Sequence, residues 1–148
     1  MQLFNRYPAA VAKLSGGDAM PCLCGTVRFY PMHGNVLIET DVAGLPDTES
    51  GFFAMHIHEG SNCLGEGFPQ AGNHYNPKRL PHPRHPGDLP PLLSCDGRAY
   101  QIVMTDRFCL SEIVGRTVIL HSDPDDFRSQ PSGNAGVKIA CGKICPGM

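Results

Sequence analysis

The sequence contains no tryptophan, and none of its apolar runs exceeds four residues. A transmembrane helix needs about 20 predominantly apolar residues in a row, so no such helix is expected. Neither sign of charge dominates, because 12 lysines and arginines stand against 14 aspartates and glutamates. A protein that binds nucleic acid usually carries a clear excess of basic residues. We therefore expect neither nucleic acid nor a membrane as a partner.

The first residues lack the charged start and the apolar stretch of a secretory signal. This absence favours a cytoplasmic protein, whereas a mature fragment of an exported protein would be extracytoplasmic, so the compartment stays unknown. Seven cysteines in 148 residues are many for a reducing compartment. An odd number cannot all pair within one chain.

Glycine and proline are abundant, at 17 and 14 residues. Such usage favours many turns, and 148 residues fit a single domain spanning 1–148. Several short segments alternate apolar and polar residues between turn residues, as half-buried strands do. The sequence therefore predicts an all-β fold, a β-sandwich or barrel. The predicted strands are 25–30, 36–42, 100–105 and 116–121.

The middle of the chain, from Glu59 to about Arg98, shows no sustained periodicity and is crowded with prolines. A loop of this length is uncommon in a compact domain and is usually functional or disordered. If it is ordered, something must hold it in place. Its residues indicate a metal and a disulfide.

Histidines provide the first sign of chemistry. His56 and His58 follow an apolar segment, and residues i and i+2 of a strand share one face about 6.5 Å apart, so both imidazoles can reach one ion. The alternative is two ordinary strand histidines. His74, His82, His85 and Asp88 follow within 15 residues and could form a zinc site of three nitrogens and one oxygen. The alternative is a solvated loop rich in histidine and proline.

Taken together, these motifs resemble the copper/zinc superoxide dismutase family, in a compact bacterial-type form. The resemblance spans residues 25–144, in the same order along the chain. It is carried by Phe52-Phe53-Ala54-Met55-His56-Ile57-His58-Glu59, Gly72-Asn73-His74-Tyr75-Asn76-Pro77, His85-Pro86-Gly87-Asp88-Leu89-Pro90, Gly115-Arg116-Thr117-Val118-Ile119-Leu120-His121 and Gly133-Asn134-Ala135-Gly136-Val137-Lys138-Ile139-Ala140-Cys141-Gly142.

The resemblance implies a Greek-key β-sandwich or flattened barrel, immunoglobulin-like, with long metal-binding and disulfide-anchored loops. It also implies copper and zinc as cofactors. His74 would be shared by both metals as an imidazolate, and Asp125 would link a copper ligand to a zinc ligand; alternatively, Asp125 is a turn or cap residue. The implied copper ligands are His56, His58, His74 and His121, and the implied zinc ligands are His74, His82, His85 and Asp88.

Three further roles follow from the resemblance. Cys63 and Cys141 match the family's disulfide, and Arg116 matches an arginine that braces the loop carrying it, although an ordinary strand-edge charge is the alternative. Lys138 stands where the family has an arginine that guides the anion; the alternative is a strand-end lysine pointing to solvent. The remaining cysteines have no family role. Among them, Cys22-Leu23-Cys24 could hold a thiophilic metal; the alternative is buried or reduced thiols.

The function implied is an antioxidant oxidoreductase that disproportionates superoxide to oxygen and hydrogen peroxide by one-electron cycling of copper, with a structural zinc. His74 and Lys138 are its expected catalytic residues. Two alternatives stay open. One is a dismutase-like metal-binding or structural protein with little turnover, and the other is a zinc hydrolase. Superoxide is the expected partner, and a homodimer is an expectation that the sequence does not decide.

Overall fold

The computed structural model describes residues 6–147, which are almost entirely strands and loops. Within residues 6–147 the one α-helix, α1, is the single turn Leu110–Ile113, and one 3₁₀ turn covers Pro69–Ala71. The strands are β1 (Ala10–Gly16), β2 (Cys24–Met32), β3 (Asn35–Ala43), β4 (Phe52–Phe53), β5 (Met55–His58), β6 (Leu92–Leu93), β7 (Arg98–Thr105), β8 (Thr117–His121) and β9 (Lys138–Pro146).

Seven of these strands form one curled antiparallel sheet in the order β5-β8-β9-β1-β2-β3-β7, and β4 pairs with β6 beside it. The strands that come first and last along the chain, β1 and β9, are direct neighbours in the centre of this sheet. Strands distant in the chain are thus adjacent in space, as in a Greek key. The all-β class predicted from the sequence is confirmed.

The core lies on the inner face of the curled sheet. Alternate residues of the strands point inward, so that Val27 and Phe29 of β2 pack with Val118 and Leu120 of β8. The residues between them point to the outer face. On that outer face a second, smaller cluster buries Phe68, Ala71, Ile119 and Cys141. The site described below lies on the same outer face, and the strands that carry it are packed on the core through their inner face.

The four predicted strands correspond to β2, β3, β7 and β8, each within two residues at either end. The sequence did not single out β1, whose inward positions include two alanines, nor the one-turn helix α1. Among residues 6–147, no helix has the length and apolar character needed to cross a membrane.

Candidate metal centre

Strand geometry places three histidines together on the outer face. His56 and His58 alternate along β5 with Met55 and Ile57, which are buried in the core. Strand β5 pairs antiparallel with β8, whose last residue is His121. A β-bulge shifts the register between Leu120 and His121 on the side that pairs with β9. Adjacent strands thus bring residues more than 60 positions apart into contact, since His58 Nε2 and His121 Nε2 lie 3.3 Å apart.

The long segment 59–91, here called the metal loop, folds back along β5 through main-chain hydrogen bonds. The amide of Ile57 donates to Gly87 O and the amide of Tyr75 donates to Ile57 O, both at 2.8 Å. These bonds place His74 beside His58 and Asp88 beside His56. Gly87 is required at this approach, because a Cβ there would lie 2.3 Å from Ile57 O.

The first cluster consists of imidazoles alone. One ring nitrogen of each of four buried histidines lies within 4.8 Å of those of the others. Two of these atoms, His56 Nδ1 and His74 Nε2, are buried and find no hydrogen-bond partner among residues 6–147. Buried polar atoms are normally satisfied, so unpartnered nitrogens that converge on one point fit a metal ion. The members are His56, His58, His74 and His121.

The second cluster combines three imidazoles with one carboxylate. His74 belongs to both clusters, and its Nδ1 lies 2.8 Å from Asp88 Oδ1. The Nδ1 atoms of His82 and His85 lie 3.0 and 3.3 Å from Asp88 Oδ2. Three nitrogens and one oxygen around a common point match a closed zinc site. The structure thus brings together all four residues of the predicted zinc set, His74, His82, His85 and Asp88.

Asp125 connects the two clusters. Its Oδ2 lies 2.9 Å from His56 Nε2 and its Oδ1 lies 2.7 Å from His82 Nε2. If both Nε2 atoms carry the proton, both Nδ1 atoms are free for metal, so the carboxylate selects the tautomer that each ligand needs. Gly133 leaves room for this contact, because a Cβ there would lie 2.0 Å from Asp125 Oδ1.

Burial sets the protonation of these groups. It lowers the pKa of His58 to about 2 and that of His121 to about 3. Burial also lowers the pKa of His56 and of His85. Neutral imidazoles offer a lone pair to a metal at neutral pH.

The pKa values of the two carboxylates, Asp125 and Asp88, are lowered, although burial alone would raise them. Burial raises the pKa of Asp125, but its hydrogen bonds with His56 and His82 outweigh this effect and lower the pKa to about 2. Burial likewise opposes the hydrogen bond from His74 at Asp88, and the pKa of Asp88 is lowered overall. The site therefore presents ionised carboxylates together with four imidazoles, those of His56, His58, His85 and His121, that burial keeps neutral.

Three further predicted residues fasten the metal loop. A disulfide joins Cys63 to Cys141 of β9, with the Cα atoms 5.7 Å apart. Arg116 donates from one guanidinium nitrogen to Glu59 O at 3.0 Å and lies over the ring of Tyr75 at 4.3 Å. Both contacts join Arg116 to the metal loop.

Lys138 begins β9 and is the register partner of His121. Its ammonium is half-buried and donates to Phe68 O at 3.3 Å, so the side chain turns toward the metal loop and not simply into solvent. Burial lowers the pKa of Lys138. Lys138 also carries one of the charges that lower the pKa of His121, so its ammonium acts electrostatically on that imidazole.

Two contacts to the metal loop were not predicted. The side-chain amide of Gln130 bonds both main-chain groups of His82, and Arg107 donates to Pro83 O at 2.8 Å. A lone glutamine or arginine in a loop carries no periodic or spacing signal, so the sequence offered no means of finding either.

Comparison with known proteins agrees with this geometry. A family model described as copper/zinc superoxide dismutase matches residues 23–144. The chain belongs to the copper/zinc superoxide dismutase family. It is 33% identical over 135 residues to "Superoxide dismutase [Cu-Zn] 2" of Aquifex aeolicus, covering 81% of this chain and 78% of that protein. It is 32% identical over 139 residues to "Superoxide dismutase [Cu-Zn]" of Deinococcus radiodurans, covering 80% and 75%.

An animal relative is similar at the same level. The chain is 33% identical over 133 residues to "Extracellular superoxide dismutase [Cu-Zn]" of Rattus norvegicus. This match covers 82% of the chain but only 54% of the rat protein. The family predicted from the motifs is therefore confirmed, and the matched region agrees with the predicted span 25–144 to within two residues. As a superoxide dismutase family member, the chain carries donor sets that fit copper and zinc.

The five remaining cysteines are exposed and form no disulfide within residues 6–147. None belongs to a described group of three or more metal-ligating side chains. A thiophilic site at Cys22 and Cys24 therefore has no support from the structure. The five are Cys22, Cys24, Cys95, Cys109 and Cys145.

Proposed function

We propose that this chain is a copper- and zinc-dependent superoxide dismutase that converts superoxide to oxygen and hydrogen peroxide. The observation that carries the proposal is His74, which belongs to an all-imidazole cluster and to a three-histidine, one-aspartate cluster at once. Its Nδ1 faces Asp88 in the second cluster, and its Nε2 is buried without a hydrogen-bond partner among residues 6–147. One ring would thus serve two metals.

The donor sets assign the metals. His56, His58, His74 and His121 would hold copper, since imidazole ligands suit copper and this cluster has no carboxylate. His74, His82, His85 and Asp88 would hold zinc in a closed site. When bound, copper supplies the one-electron oxidation and reduction that dismutation requires and that zinc does not perform.

The chain's own groups supply binding and proton transfer. We assign proton transfer to His74, whose Nε2 would take up a proton whenever it is not a metal ligand and would deliver it to the peroxide that forms. We assign attraction of the anion to the ammonium of Lys138, a residue that is the register partner of His121. Two superoxide ions and two protons give one oxygen and one hydrogen peroxide. The roles of Asp125 in fixing tautomers, and of Arg116 and the Cys63–Cys141 disulfide in fastening the metal loop, belong to the same proposal.

Two other functions fit less well. A zinc hydrolase needs an open position on zinc for water. The second cluster already offers four protein ligands, which would leave no such position. A metal-binding protein with low turnover is favoured by one observation, namely that Lys138 lacks the planar fork with which arginine contacts an anion at two points.

A single domain over 1–148 and a homodimer stay predictions.

Superoxide consumption by two forms of the same chain tests the proposal. One form is loaded with copper and zinc, and the other with zinc alone. We expect rapid consumption of superoxide only by the first form. Equal and slow consumption by both forms, with metal contents verified by elemental analysis, would support the low-turnover metal binder instead.

A further inference from the structure

His82, a residue of the zinc cluster, is hydrogen-bonded through both its ring and its main chain to the segment 122–137, here called the C-terminal loop. The ring of His82 bonds Asp125 through Nε2 at 2.7 Å. Its main chain bonds Gln130, whose Oε1 accepts from the His82 amide at 2.8 Å and whose Nε2 donates to the His82 carbonyl at 2.8 Å. Ring and main chain are therefore both fixed, and the remaining ring atom, Nδ1, faces Asp88 Oδ2 at 3.0 Å.

The turn that carries Gln130 is itself well bonded. The carboxylate of Asp126 accepts from the amides of Arg128 and Ser129, and the amide of Gly133 donates to Ser129 O at 2.7 Å. The amide of Asp126 donates to Gly133 O at 2.9 Å, which closes the turn. Gln130 thus extends from a rigid base, and its amide matches the donor and acceptor of His82 as a neighbouring strand would.

We infer that Gln130 is a positioning residue for zinc: its reciprocal pair of hydrogen bonds fixes the main chain of His82, and so links zinc binding in the metal loop to order in the C-terminal loop. The inference rests on the proposed function only in that the second cluster binds zinc. A ligand held in its binding orientation before the metal arrives loses less conformational freedom on binding. Because the link is thermodynamic, zinc in turn stabilises the turn that carries Gln130.

The test compares Gln130→Met with the unaltered chain, both loaded with zinc alone. Methionine has a similar length but removes both hydrogen bonds to His82. We expect the zinc dissociation constant, measured by competition with a chelator, to rise about 10-fold, the lower end of the range for residues that support a ligand. The matched control is Gln101→Met on β7, which loses one long bond to Pro90 O (3.4 Å) and should leave zinc affinity unchanged.

Two further measurements separate positioning from mere stabilisation. Cobalt(II) in the zinc site should show a changed visible spectrum in Gln130→Met but not in Gln101→Met. In the unaltered chain, zinc should slow hydrogen exchange of the amides of His82 and Gly133, so the inference can be tested even if Gln130→Met does not fold. Unchanged exchange at both amides on zinc binding would overturn the inference.

The remaining outcomes are also decisive. If the unaltered chain binds zinc and Gln130→Met binds it within twofold as tightly, the inference about Gln130 is wrong while the proposed function stands. If the unaltered chain binds no zinc, both are wrong.

Discussion

At the scale of single residues, Lys138 is the position where the chain departs most clearly from the resemblance that its motifs show. The C-terminal loop carries Asp123, Asp125 and Asp126 against Arg128, so few basic groups near the site attract an anion. Lys138 is the register partner of His121 and is half-buried, so solvent screens its charge less than at an open surface. Attraction of superoxide should therefore depend strongly on this one side chain.

Replacing Lys138 with alanine should lower kcat/KM for superoxide and leave the copper and zinc contents unchanged. Raising the ionic strength should slow the unaltered enzyme, and this dependence should weaken in the variant, because a long-range attraction has been removed. Lys138→Arg should equal or exceed the unaltered chain, since guanidinium restores the two-point contact. Steady-state kinetics at several salt concentrations provide the measurement.

Lys143→Ala is the matched control, because Lys143 lies exposed on the same strand, β9. It should alter the rate far less than Lys138→Ala. Kinetics of Lys138→Ala that equal those of the unaltered chain at low salt would remove Lys138 from the site.

A second prediction at this scale concerns Asp125, which accepts hydrogen bonds from two imidazoles through its two oxygens. Asparagine has only one oxygen, so Asp125→Asn cannot accept from both His56 and His82. We expect copper and zinc dissociation constants to rise about 10- to 100-fold, the usual effect of losing a group that orients a ligand. Asp123→Asn serves as the control, since Asp123 is an exposed aspartate of the same loop whose carboxylate accepts from the Ser122 hydroxyl. Competition titrations that find Asp125→Asn and Asp123→Asn equal would contradict the role of Asp125.

At the scale of elements, the metal loop is the part of the fold least supported by the core. It carries His74, His82, His85 and Asp88 but contains only one short 3₁₀ turn of regular structure. Its fixed points are the main-chain bonds to Ile57, the contacts of Arg116, and the disulfide to β9. The sheet, by contrast, has its own buried core.

Removing the disulfide should therefore affect the metal loop first. The bond closes a loop of 78 residues, which the chain-entropy estimate makes worth about 4 kcal/mol. We expect Cys63→Ser to lower the free energy of unfolding of the metal-free protein by about this amount. Amides of the metal loop should exchange faster, and those of the sheet should stay protected.

The control for this experiment is Cys95→Ser, which makes the same change at an exposed free cysteine. Denaturant unfolding and hydrogen exchange measure the two effects. Equal stabilities for Cys63→Ser and Cys95→Ser would mean that other contacts anchor the loop.

How much of this could be predicted from the sequence depends on the range of the interactions. Strands β2, β3, β7 and β8 follow from alternation of residue types, which is local. The members of the two clusters follow from motifs, but their convergence depends on hydrogen bonds such as Ile57 to Gly87, which no periodicity encodes. Strand β1 was not predicted, because alanines fill two of its inward positions and weaken the alternation of apolar and polar residues. The role of Gln130 was not predicted, because a single amide side chain gives no sequence pattern.

At the scale of the whole molecule, the two clusters share His74 and are tied again by Asp125. This double connection predicts a fixed stoichiometry of one copper and one zinc per chain at saturation. Elemental analysis of protein loaded with both metals and freed of excess provides the measurement. Saturation at a single metal per chain would contradict the shared-ligand reading of His74.

We expect copper in the all-imidazole cluster to give this chain its activity. The most direct test is the decay of superoxide, followed by its own ultraviolet absorbance, as zinc-saturated protein is titrated with copper. We expect the decay rate to rise in proportion to bound copper and to level off at one copper per chain. A rate that does not change as copper fills the site would overturn this expectation.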